Sequence, residues 1–285
     1  MTLALQTAVN GAIQGVFYSL MAIGFTMIFG VMGVINFAHG ELYMIGAYIV
    51  WLTYAIGALP FPVAVGAATG IVIGVGIAIE RGLFKPVRGN VFMACMLSIG
   101  MLFILQNIVK TTWHIGLMKD IPPYTKATVQ FFGASVPVQR LLLVPVVGGV
   151  LSGLTFFLRR VKYGRALRAT AQDPEAASIQ GISIDRMMLL AMVIAAALAG
   201  LAGGLMAPIA RVEPYMGHPA VMTALMVTIV GGMGSIEGAL IASFVYGFLI
   251  CFVTTYVDGS MAMIAGAFLM FFVLIVRPRG LLGRA

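Results

Sequence analysis

The sequence predicts an all-α fold, a polytopic integral membrane protein in which residues 1–285 form a single transmembrane domain. Three observations support this prediction: an apolar composition, a series of long uncharged runs, and basic residues concentrated in three connections. Hydrophobic residues make up 61% of the 285 positions and charged residues only 9%, whereas a soluble domain carries roughly a quarter charged residues. Burial on folding levels off near three quarters of a chain's surface at about 300 residues, so lipid must solvate the remaining apolar surface.

Uncharged runs long enough to cross about 30 Å of hydrocarbon give the order of the predicted spans. At that length, about nine transmembrane helices are expected, within a range of about 8 to 10. The runs cover residues 8–35, 42–59, 61–79, 91–109, 141–158, 187–207, 219–236, 238–257 and 259–276. The first and seventh runs are the least regular, and broken helices are expected there.

Basic residues are sorted strongly among the connections between these spans. Twelve of the 17 Lys and Arg residues lie in three connections: Arg81, Lys85 and Arg88; Arg159, Arg160, Lys162, Arg165, Arg168 and Arg186; and Arg277, Arg279 and Arg284. The positive-inside bias makes these connections cytoplasmic, which puts the N-terminus outside and the C-terminus inside. Because the bases are split over three loops, the net charge of +8 indicates orientation and headgroup contact and excludes a nucleic-acid surface.

The long external connection, residues 110–140, mixes prolines with β-branched and aromatic residues in DIPPYTKATVQFFGASVPV. This composition is compatible with a short hairpin or lid on the outer face, and equally with a plain ordered loop. In the preceding span 61–79, Gly66, Gly70 and Gly74 recur at every fourth position. That spacing predicts a bare helical face on which another helix can pack closely.

Two distant segments of the chain have similar sequences and are called the echoed segments below. IFGVMGVIN (residues 28–36) and IVGGMGSIE (residues 229–237) align at a constant offset of 201, with isoleucine, glycine and methionine positions in common. Each copy interrupts a long apolar run with a polar residue, and paired broken segments indicate a transport pathway built from repeats. Chance similarity is the alternative, because glycine, isoleucine and methionine are abundant here. Counting the predicted spans from the external N-terminus gives both copies the same direction through the membrane, so inverted repeats are not expected.

The second basic connection, residues 159–186, contains two predicted short helices. Asp173 can cap a helix, Pro174 suits its first position, Glu175 favours the positive end of the dipole, and Gly181 supplies a stop. The predicted helix has about two turns and is roughly 10 Å long. A second helix is expected over residues 164–171, beginning at Gly164, with Arg165 and Arg168 on adjacent turns. Basic helices of this kind can also simply rest on anionic headgroups.

The motifs of this loop and of both ends of the chain resemble those of a known family. The stretch GRALRATAQDPEAASIQGI resembles the coupling loop of ABC importer permeases, in which Glu-Ala-Ala is followed by a glycine. The matching positions here are Glu175, Ala176, Ala177 and Gly181, with the glycine closer than in the longest form of the motif. With GVINFAHGELYMIGAY, GGMGSIEGALI and RPRGLLGR, the whole chain resembles LivH-type permeases of high-affinity branched-chain amino-acid importers. Permeases for urea and short amides are similar in the same motifs.

The resemblance implies a transport subunit rather than an enzyme, located in the bacterial inner membrane and free of cofactors. The sequence contains no G-x-x-x-x-G-K-[ST] phosphate loop, so it has no such site of its own for ATP. In the resembling family, two ATP-binding subunits sit beneath a pair of non-identical permeases, and a periplasmic binding protein delivers substrate. The coupling residues that the resemblance and the loop pattern indicate are Gly164, Arg165, Asp173, Pro174, Glu175, Ala176, Ala177 and Gly181.

The polar cluster in INFAHGELY has two interpretations. In the structural one, Asn36 caps the next helix, Glu41 satisfies backbone donors in its first turns, and His39 bonds a carbonyl. The same count of spans places the cluster near the cytoplasmic end of the first span, where water could relieve the cost of a charge. In the functional one, the cluster and its echo line a substrate pathway, because helix starts can hold a carboxylate and ionisable residues inside a membrane usually have a function. The predicted pathway residues are Asn36, His39, Glu41, Gly231, Gly234 and Glu237.

Two further classes of protein compete with the importer. A proton-coupled secondary transporter would use Glu41, His39, Glu237 or Asp258 as a relay, but it needs no capped internal helix. An intramembrane enzyme is disfavoured because residues at i and i+2 point in different directions on a helix. His114 and His218 are interpreted as ordinary polar residues in or beside external connections, and no metal site is predicted.

Overall fold

The computed structural model describes residues 2–113, 120–131 and 134–283, and within them the chain is helical apart from one hairpin and connecting turns. The prediction of an all-α membrane fold is confirmed. Its helices are α1 (Thr2–Met32), α2 (His39–Val50), α3 (Phe61–Ile79), α4 (Val91–Thr112), α5 (Val138–Arg160), α6 (Lys162–Gln172), α7 (Pro174–Ile179), α8 (Ile184–Met206), α9 (Gly217–Gly231), α10 (Ile236–Tyr256) and α11 (Gly259–Val276). π-helical turns continue α2 over Trp51–Ile56 and α3 over Glu80–Phe84.

Seven helical segments in the described part of the chain are long and apolar enough to cross a membrane. They are Leu3–Met32, Phe61–Val87, Val91–Thr112, Val138–Arg160, Ile184–Met206, Ile236–Tyr256 and Gly259–Val276. The predicted spans 42–59 and 219–236 fall on shorter elements, which are α2 with its π-helical continuation and α9. The protein is polytopic, but the count of nine full-length crossings is not confirmed.

The connection that was predicted to be external contains an antiparallel hairpin, as one of the two interpretations of its sequence predicted. Strand β1 (Thr128–Phe131) pairs with β2 (Ala134–Pro137), with Thr128 opposite Pro137. The side chain of Gln6 in α1 binds the backbone of Ser135, accepting from its N–H at 2.7 Å and donating to its carbonyl at 3.1 Å. The hairpin is therefore tied to the first helix. His114 lies outside the described residues.

Contacts divide the described chain into two compact units. Unit 1 comprises the described residues of 1–26, 123–153 and 223–285, and unit 2 comprises those of 27–122 and 154–222. In unit 1, α1 and α10 approach so closely that a Cβ on Gly15 would lie 2.9 Å from the Cα of Phe244. Tyr18 and Tyr246 pack edge to face nearby, with their ring centroids 5.5 Å apart.

Small residues on α8 organise unit 2. A Cβ on Gly203 would lie 2.0 Å from the carbonyl oxygen of Tyr43 in α2, and one on Gly46 would lie 2.6 Å from the carbonyl oxygen of Gly200. These approaches place helix backbones in direct contact, as small residues allow in membrane proteins. α3 packs antiparallel on the same helix, where Gly200 faces Val72.

The glycine repeat of α3 does not make the predicted contact. A Cβ added to Gly66, Gly70 or Gly74 would meet no atom within 4 Å in the described structure. The face of α3 that packs on α8 includes Val72 and Gly76 instead. Gly70 and Gly74 are each two residues away from this row, which turns them by about 200° around the helix. The prediction of close packing on this repeat is therefore wrong for the helices of the described chain.

An ion-pair cluster joins the first basic connection to the start of α8. Arg88 donates to the carboxylates of Glu80 and Asp185, and the Nζ atom of Lys85 lies 3.6 Å from Oδ2 of Asp185. The side chain of Glu80 is only 1% exposed, whereas that of Asp185 is 59% exposed. Arg88 and Lys85, interpreted from the sequence only as orientation signals, thus also hold two connections of unit 2 together.

Replacing Arg88 with alanine should destabilise unit 2 strongly. Removing one partner of a buried ion pair leaves the other charge buried and uncompensated, at a cost of about 3 kcal/mol or more in the free energy of unfolding. The measurement is the thermal unfolding midpoint of the purified protein in detergent. Arg81→Ala removes an exposed charge from the same connection and should change the midpoint little, while Arg88→Ala combined with Glu80→Gln should recover part of the loss. Equal midpoints for the Arg88 and Arg81 variants would contradict a structural role for the cluster.

Candidate functional site

The break between α1 and α2 is made by a glycine in the left-handed conformation. α1 ends at Met32, and Gly33 follows with φ of +67° while its N–H donates to the carbonyl of Phe29 at 2.9 Å. Glycine adopts this conformation without a steric cost and is therefore common just after a helix. At an offset of 201, Gly234 has φ of +84° between α9 and α10. The two echoed segments therefore share a backbone feature as well as a sequence.

Asn36 and Ser98 satisfy the backbone of the break. The Oδ1 atom of Asn36 accepts from the N–H of Ala38 at 3.0 Å. The Ser98 hydroxyl on α4 accepts from the N–H of Phe37 at 3.2 Å. Its single proton has two acceptors in reach, the carbonyl of Cys95 in the same helix at 2.8 Å and the carbonyl of Ile35 at 3.3 Å. Asn36 was predicted to cap α2, but the N-cap residue is Ala38, which has no side-chain cap, so Asn36 stabilises the turn before the helix instead. Asn36 is 1% exposed, and its Nδ2 atom has no hydrogen-bond partner among the described residues.

Glu41 lies in the first turn of α2 and is completely buried within unit 2. Its Oε1 atom accepts from Nε2 of Gln106 at 2.9 Å, and its Oε2 atom has no hydrogen-bond partner in the part of the chain that the structure describes. The expectation that Glu41 satisfies backbone donors is therefore wrong. Gln106 therefore donates a hydrogen bond to one carboxylate oxygen of Glu41, and the other oxygen can accept one from a group outside the described chain. His39, at the first position of α2, is also completely buried.

The depth of Glu41 differs from the sequence-based expectation. At 1.5 Å per residue, Ser98 lies about 10 Å and Gln106 about 22 Å along the spanning helix α4 from its first residue. The chain from Ile35 to Glu41 follows α4 between these two levels, because it contacts Ser98 first and Gln106 afterwards. Glu41 is therefore far from the first residue of α4, and it lies nearer to the opposite end of that helix, because Gln106 is only six residues, about 9 Å, from Thr112.

Two helix starts meet beside this carboxylate. A Cβ on Gly40 would lie 2.1 Å from the carbonyl oxygen of Gly217, the first residue of α9. A Cβ on Gly217 would lie 2.9 Å from Oε1 of Glu41. Helix N-termini carry a partial positive charge, so both helix starts favour an anion at this position. His218, the second residue of α9, is exposed.

The remaining predicted pathway residues lie at the junction of α9 and α10 in unit 1. A Cβ on Gly231 would lie 2.5 Å from the backbone nitrogen of Ala239, and the N–H of Leu282 donates to the carbonyl of Gly231 at 3.0 Å. Gly234 makes the left-handed turn, and Glu237 is exposed in the first turn of α10. Asn36, His39 and Glu41 therefore form one cluster in unit 2, while Gly231, Gly234 and Glu237 form a separate group in unit 1.

Sequence reasoning missed Ser98, Gln106 and Gly217. Ser98 and Gln106 are isolated polar residues in an apolar run, spaced eight positions apart and hence on one face of a helix. That spacing is a signal that could have identified α4 as the wall facing the break. Gly217 had no comparable signal, because its importance comes from contact with Gly40.

The short helix in the second basic connection forms as predicted. Oδ1 of Asp173 accepts from the N–H groups of Glu175 and Ala176, each at 2.9 Å, and α7 begins at Pro174. Gly181 stops the helix with φ of +78°. α6 covers the other predicted helix, and a Cβ on Gly164 would lie 2.1 Å from the carbonyl oxygen of Phe157. The connection is thus a compact helical pair rather than an irregular loop.

One of the predicted coupling residues, Ala177, does not lie on the exposed surface of α7. It is only 4% exposed and packs inward. Glu175, Ala176 and Ser178 are exposed, and Ile179 is 85% exposed. Arg165 is exposed on α6. A partner that binds this helix would therefore contact Ile179 rather than Ala177.

Comparison with known proteins agrees with the resemblance seen in the motifs. Residues 7–278 match the family described as "Branched-chain amino acid transport system / permease component". The chain is 35% identical to the high-affinity branched-chain amino acid transport system permease protein LivH of Escherichia coli (strain K12), over 98% of this chain and 96% of that protein. It is 28% identical to the permease protein LivM of Salmonella typhimurium, over 96% of this chain and 70% of that protein.

The fold is similar to that of a solved structure, PsaBC from Streptococcus pneumoniae in complex with Fab. The TM-score is 0.51 at 17% sequence identity, covering 95% of this chain and 92% of that chain. At this identity the similarity concerns the fold alone. The match along residues 7–278 and the identity to LivH over nearly the whole length of both chains show that this protein belongs to the family of permease components of branched-chain amino acid transport systems.

Proposed function

We propose that this chain is the transmembrane permease subunit of a binding-protein-dependent ABC importer that moves branched-chain amino acids across the bacterial inner membrane. The observation that carries the proposal is the capped helix α7, with Ile179 exposed, on a chain that matches this permease family along nearly its whole length. ATP hydrolysis takes place in two partner subunits, as in the resembling family, and the sequence of this chain contains no phosphate loop. A periplasmic binding protein delivers the substrate, and the chain needs no cofactor.

The second permease in the proposed complex is a similar but non-identical chain. This chain is similar to both LivH and LivM, two differently named permease proteins, and its greater identity and coverage assign it the LivH position. The proposed domain is single and has nine crossings, in which α2 and α9 are broken elements shorter than a full span. The N-terminus is external and the C-terminus cytoplasmic, in agreement with the positive-inside bias.

Cysteine labelling tests this orientation. With Cys95 and Cys251 replaced by serine, Thr128→Cys in the exposed strand β1 should react with an impermeant thiol reagent added outside intact cells. Ser178→Cys on α7 should react only after the membrane is opened. Both positions are exposed, so a difference in labelling reports the side of the membrane. The opposite pattern would contradict the orientation and the coupling role of α7 together.

We further propose that α7 is the coupling helix, the element to which the ATP-binding subunits bind. Asp173 and Gly181 fix both ends of the helix, and Gly164 joins α6 closely to the end of α5. The pair can therefore move as one body when the nucleotide-binding subunits close. Because Ala177 packs inward, a charged residue there would disrupt the loop itself. Ile179 is the position that reports docking.

Replacing Ile179 with aspartate should weaken binding of the ATP-binding subunits. An apolar side chain of this size contributes about 1.5–3 kcal/mol when it is buried, which corresponds to a loss of roughly 10- to 100-fold in affinity. The measurements are co-purification of those subunits and substrate-stimulated ATP hydrolysis in vesicles. The comparison variant, Lys162→Gln with Arg168→Gln, removes two exposed charges outside the predicted coupling residues and should affect lipid contact rather than docking. If the Ile179 variant keeps full stimulation while the comparison variant loses it, the loop rests on headgroups instead.

We propose that the substrate pathway passes the cluster at the break between α1 and α2, which consists of Asn36, His39 and Glu41. Its counterpart in the second echoed segment consists of Gly231, Gly234 and Glu237. Two buried atoms in unit 2 support this proposal: the donor Nδ2 of Asn36 and the acceptor Oε2 of Glu41, which have no partner in the described chain. An amino-acid zwitterion supplies the complementary groups, because its carboxylate accepts a hydrogen bond and its ammonium donates one. Leaving such atoms unsatisfied costs about 1–3 kcal/mol each. A passing substrate that pairs with them recovers this free energy.

Replacing Glu41 with glutamine should reduce leucine uptake by the assembled complex in vesicles. The amide can keep its contact with Gln106 but loses the charge that attracts an ammonium, and a hydrogen bond to a charged group contributes about 1.5–3 kcal/mol. Uptake below saturation should therefore fall roughly 10- to 100-fold. Asp120→Asn, which removes an exposed carboxylate from the external connection, serves as the control and should leave uptake unchanged.

The same experiment separates the competing functions. Full leucine uptake by the Glu41→Gln variant would show that the cluster only shapes the helix break. Uptake of urea or acetamide in preference to leucine would identify an amide permease of the same family. Uptake by the isolated chain that collapses on addition of a protonophore would identify a secondary transporter.

A further inference from the structure

A groove in unit 2 lies between the last turns of α5, the start of α6 and the first turns of α8. Its volume is about 340 Å³, within the range of roughly 300–1,000 Å³ of small-molecule sites. The lining residues are Phe157, Tyr163, Arg186, Met187, Leu189, Leu190 and Val193. All of these side chains are apolar except for the guanidinium of Arg186 and the hydroxyl of Tyr163.

The groove becomes more apolar with depth in the membrane. α5 ends and α8 begins here, and both are long and apolar enough to span, so the mouth of the groove lies at the level of the lipid headgroups. Arg186 is at this end of α8. Leu190 and Val193 are about 6 and 10 Å further along the helix, and the spacing i, i+4, i+7 keeps all three on one face. The groove thus combines a cationic mouth with an apolar interior.

The positive charge at the mouth is available for an external ligand. Arg186 is exposed and forms no ion pair within the described residues, because the adjacent Asp185 is bound by Arg88 and Lys85. Between the lining residues Phe157 and Tyr163, the chain also carries the exposed residues Arg160 and Lys162. A guanidinium binds a phosphate group in a bidentate manner, and basic pockets between membrane helices bind anionic headgroups.

We infer that this groove binds one anionic phospholipid, with its phosphate at Arg186 and an acyl chain along Leu190 and Val193. The charge complementarity and the order of charge and apolar surface along α8 favour this occupant over a protein segment. A protein helix would leave Arg186 without a counter-ion unless it carried an acid at this level. A zwitterionic lipid matches the apolar lining but not the excess of positive charge. The groove is lined both by α6, in the loop that carries α7, and by the spanning helices α5 and α8. A lipid bound there would stabilise the position of that loop.

The test uses the complex of this chain with its partner subunits, purified, delipidated and incubated with phosphatidylglycerol or phosphatidylcholine vesicles. Lipid that remains bound is measured by native mass spectrometry. The unchanged protein should retain phosphatidylglycerol in preference to phosphatidylcholine. Arg186→Gln should lower phosphatidylglycerol retention about fivefold, the change expected for one basic residue near an anionic surface, while Arg186→Lys should largely preserve it. Leu190→Trp, which fills the groove, should remove the bound lipid. Arg279→Gln, an exposed basic residue outside the groove, should have no effect.

Two outcomes would overturn the inference. Equal retention of the two lipids, or unchanged retention by Arg186→Gln, would show that the groove has no anionic headgroup site. A cysteine at Leu189, on a background lacking Cys95 and Cys251 and labelled with a photo-cross-linker, identifies what occupies the groove in the assembled complex. Adducts with phospholipid support the inference, and adducts with a partner subunit or a second copy of the chain refute it.

Discussion

The need to satisfy backbone polar groups without water governs the break between α1 and α2. Inside a bilayer, each unsatisfied N–H or carbonyl costs several kcal/mol, so irregular backbone survives only where the protein itself supplies partners. Asn36 supplies an acceptor for the N–H of Ala38, and Ser98 supplies an acceptor for the N–H of Phe37 and lies 3.3 Å from the carbonyl of Ile35. α4 is therefore a template for the break as well as a spanning helix. The position of α2, and with it that of Glu41, depends on these few hydrogen bonds.

Glycine contacts then determine how tightly the broken helix packs in unit 2. Gly203 lies against the backbone of Tyr43, and Gly40 lies against Gly217. A larger residue at these positions would separate the helices and admit lipid or water beside a buried carboxylate. Because the helix starts of α2 and α9 are in contact, their partial positive charges act on the same region. Close packing and electrostatics therefore favour the same position for an anionic group, the carboxylate of Glu41.

Features encoded by neighbouring residues could be predicted from the sequence, and features that depend on distant contacts could not. The helix α7 was predicted to within one residue, because Asp173, Pro174 and Gly181 act within a few positions of one another. The inward orientation of Ala177 depends on packing against other helices, and the loop sequence contains no signal for it. The glycine repeat of α3 was assigned to the packed face, although only its rotation relative to α8 decides which face packs. The depth of Glu41 was predicted wrongly. A count of spans gives the direction of each crossing, but it does not show how far the chain continues before its next helix begins.

The helix α8 connects the two polar regions of unit 2. At one end, Asp185 is held by Arg88 and Lys85 directly after the loop that carries α7. Towards the other end, Gly203 lies against the backbone of α2, one turn beyond Gly200. A helix in backbone contact with its neighbour cannot slide without moving that neighbour, because no flexible side chain lies between them to absorb the displacement. In the proposed importer, a motion of α7 that shifts α8 would therefore also displace α2 and the carboxylate of Glu41. Backbone contact through glycine is the feature of the fold that would carry this movement to the buried break.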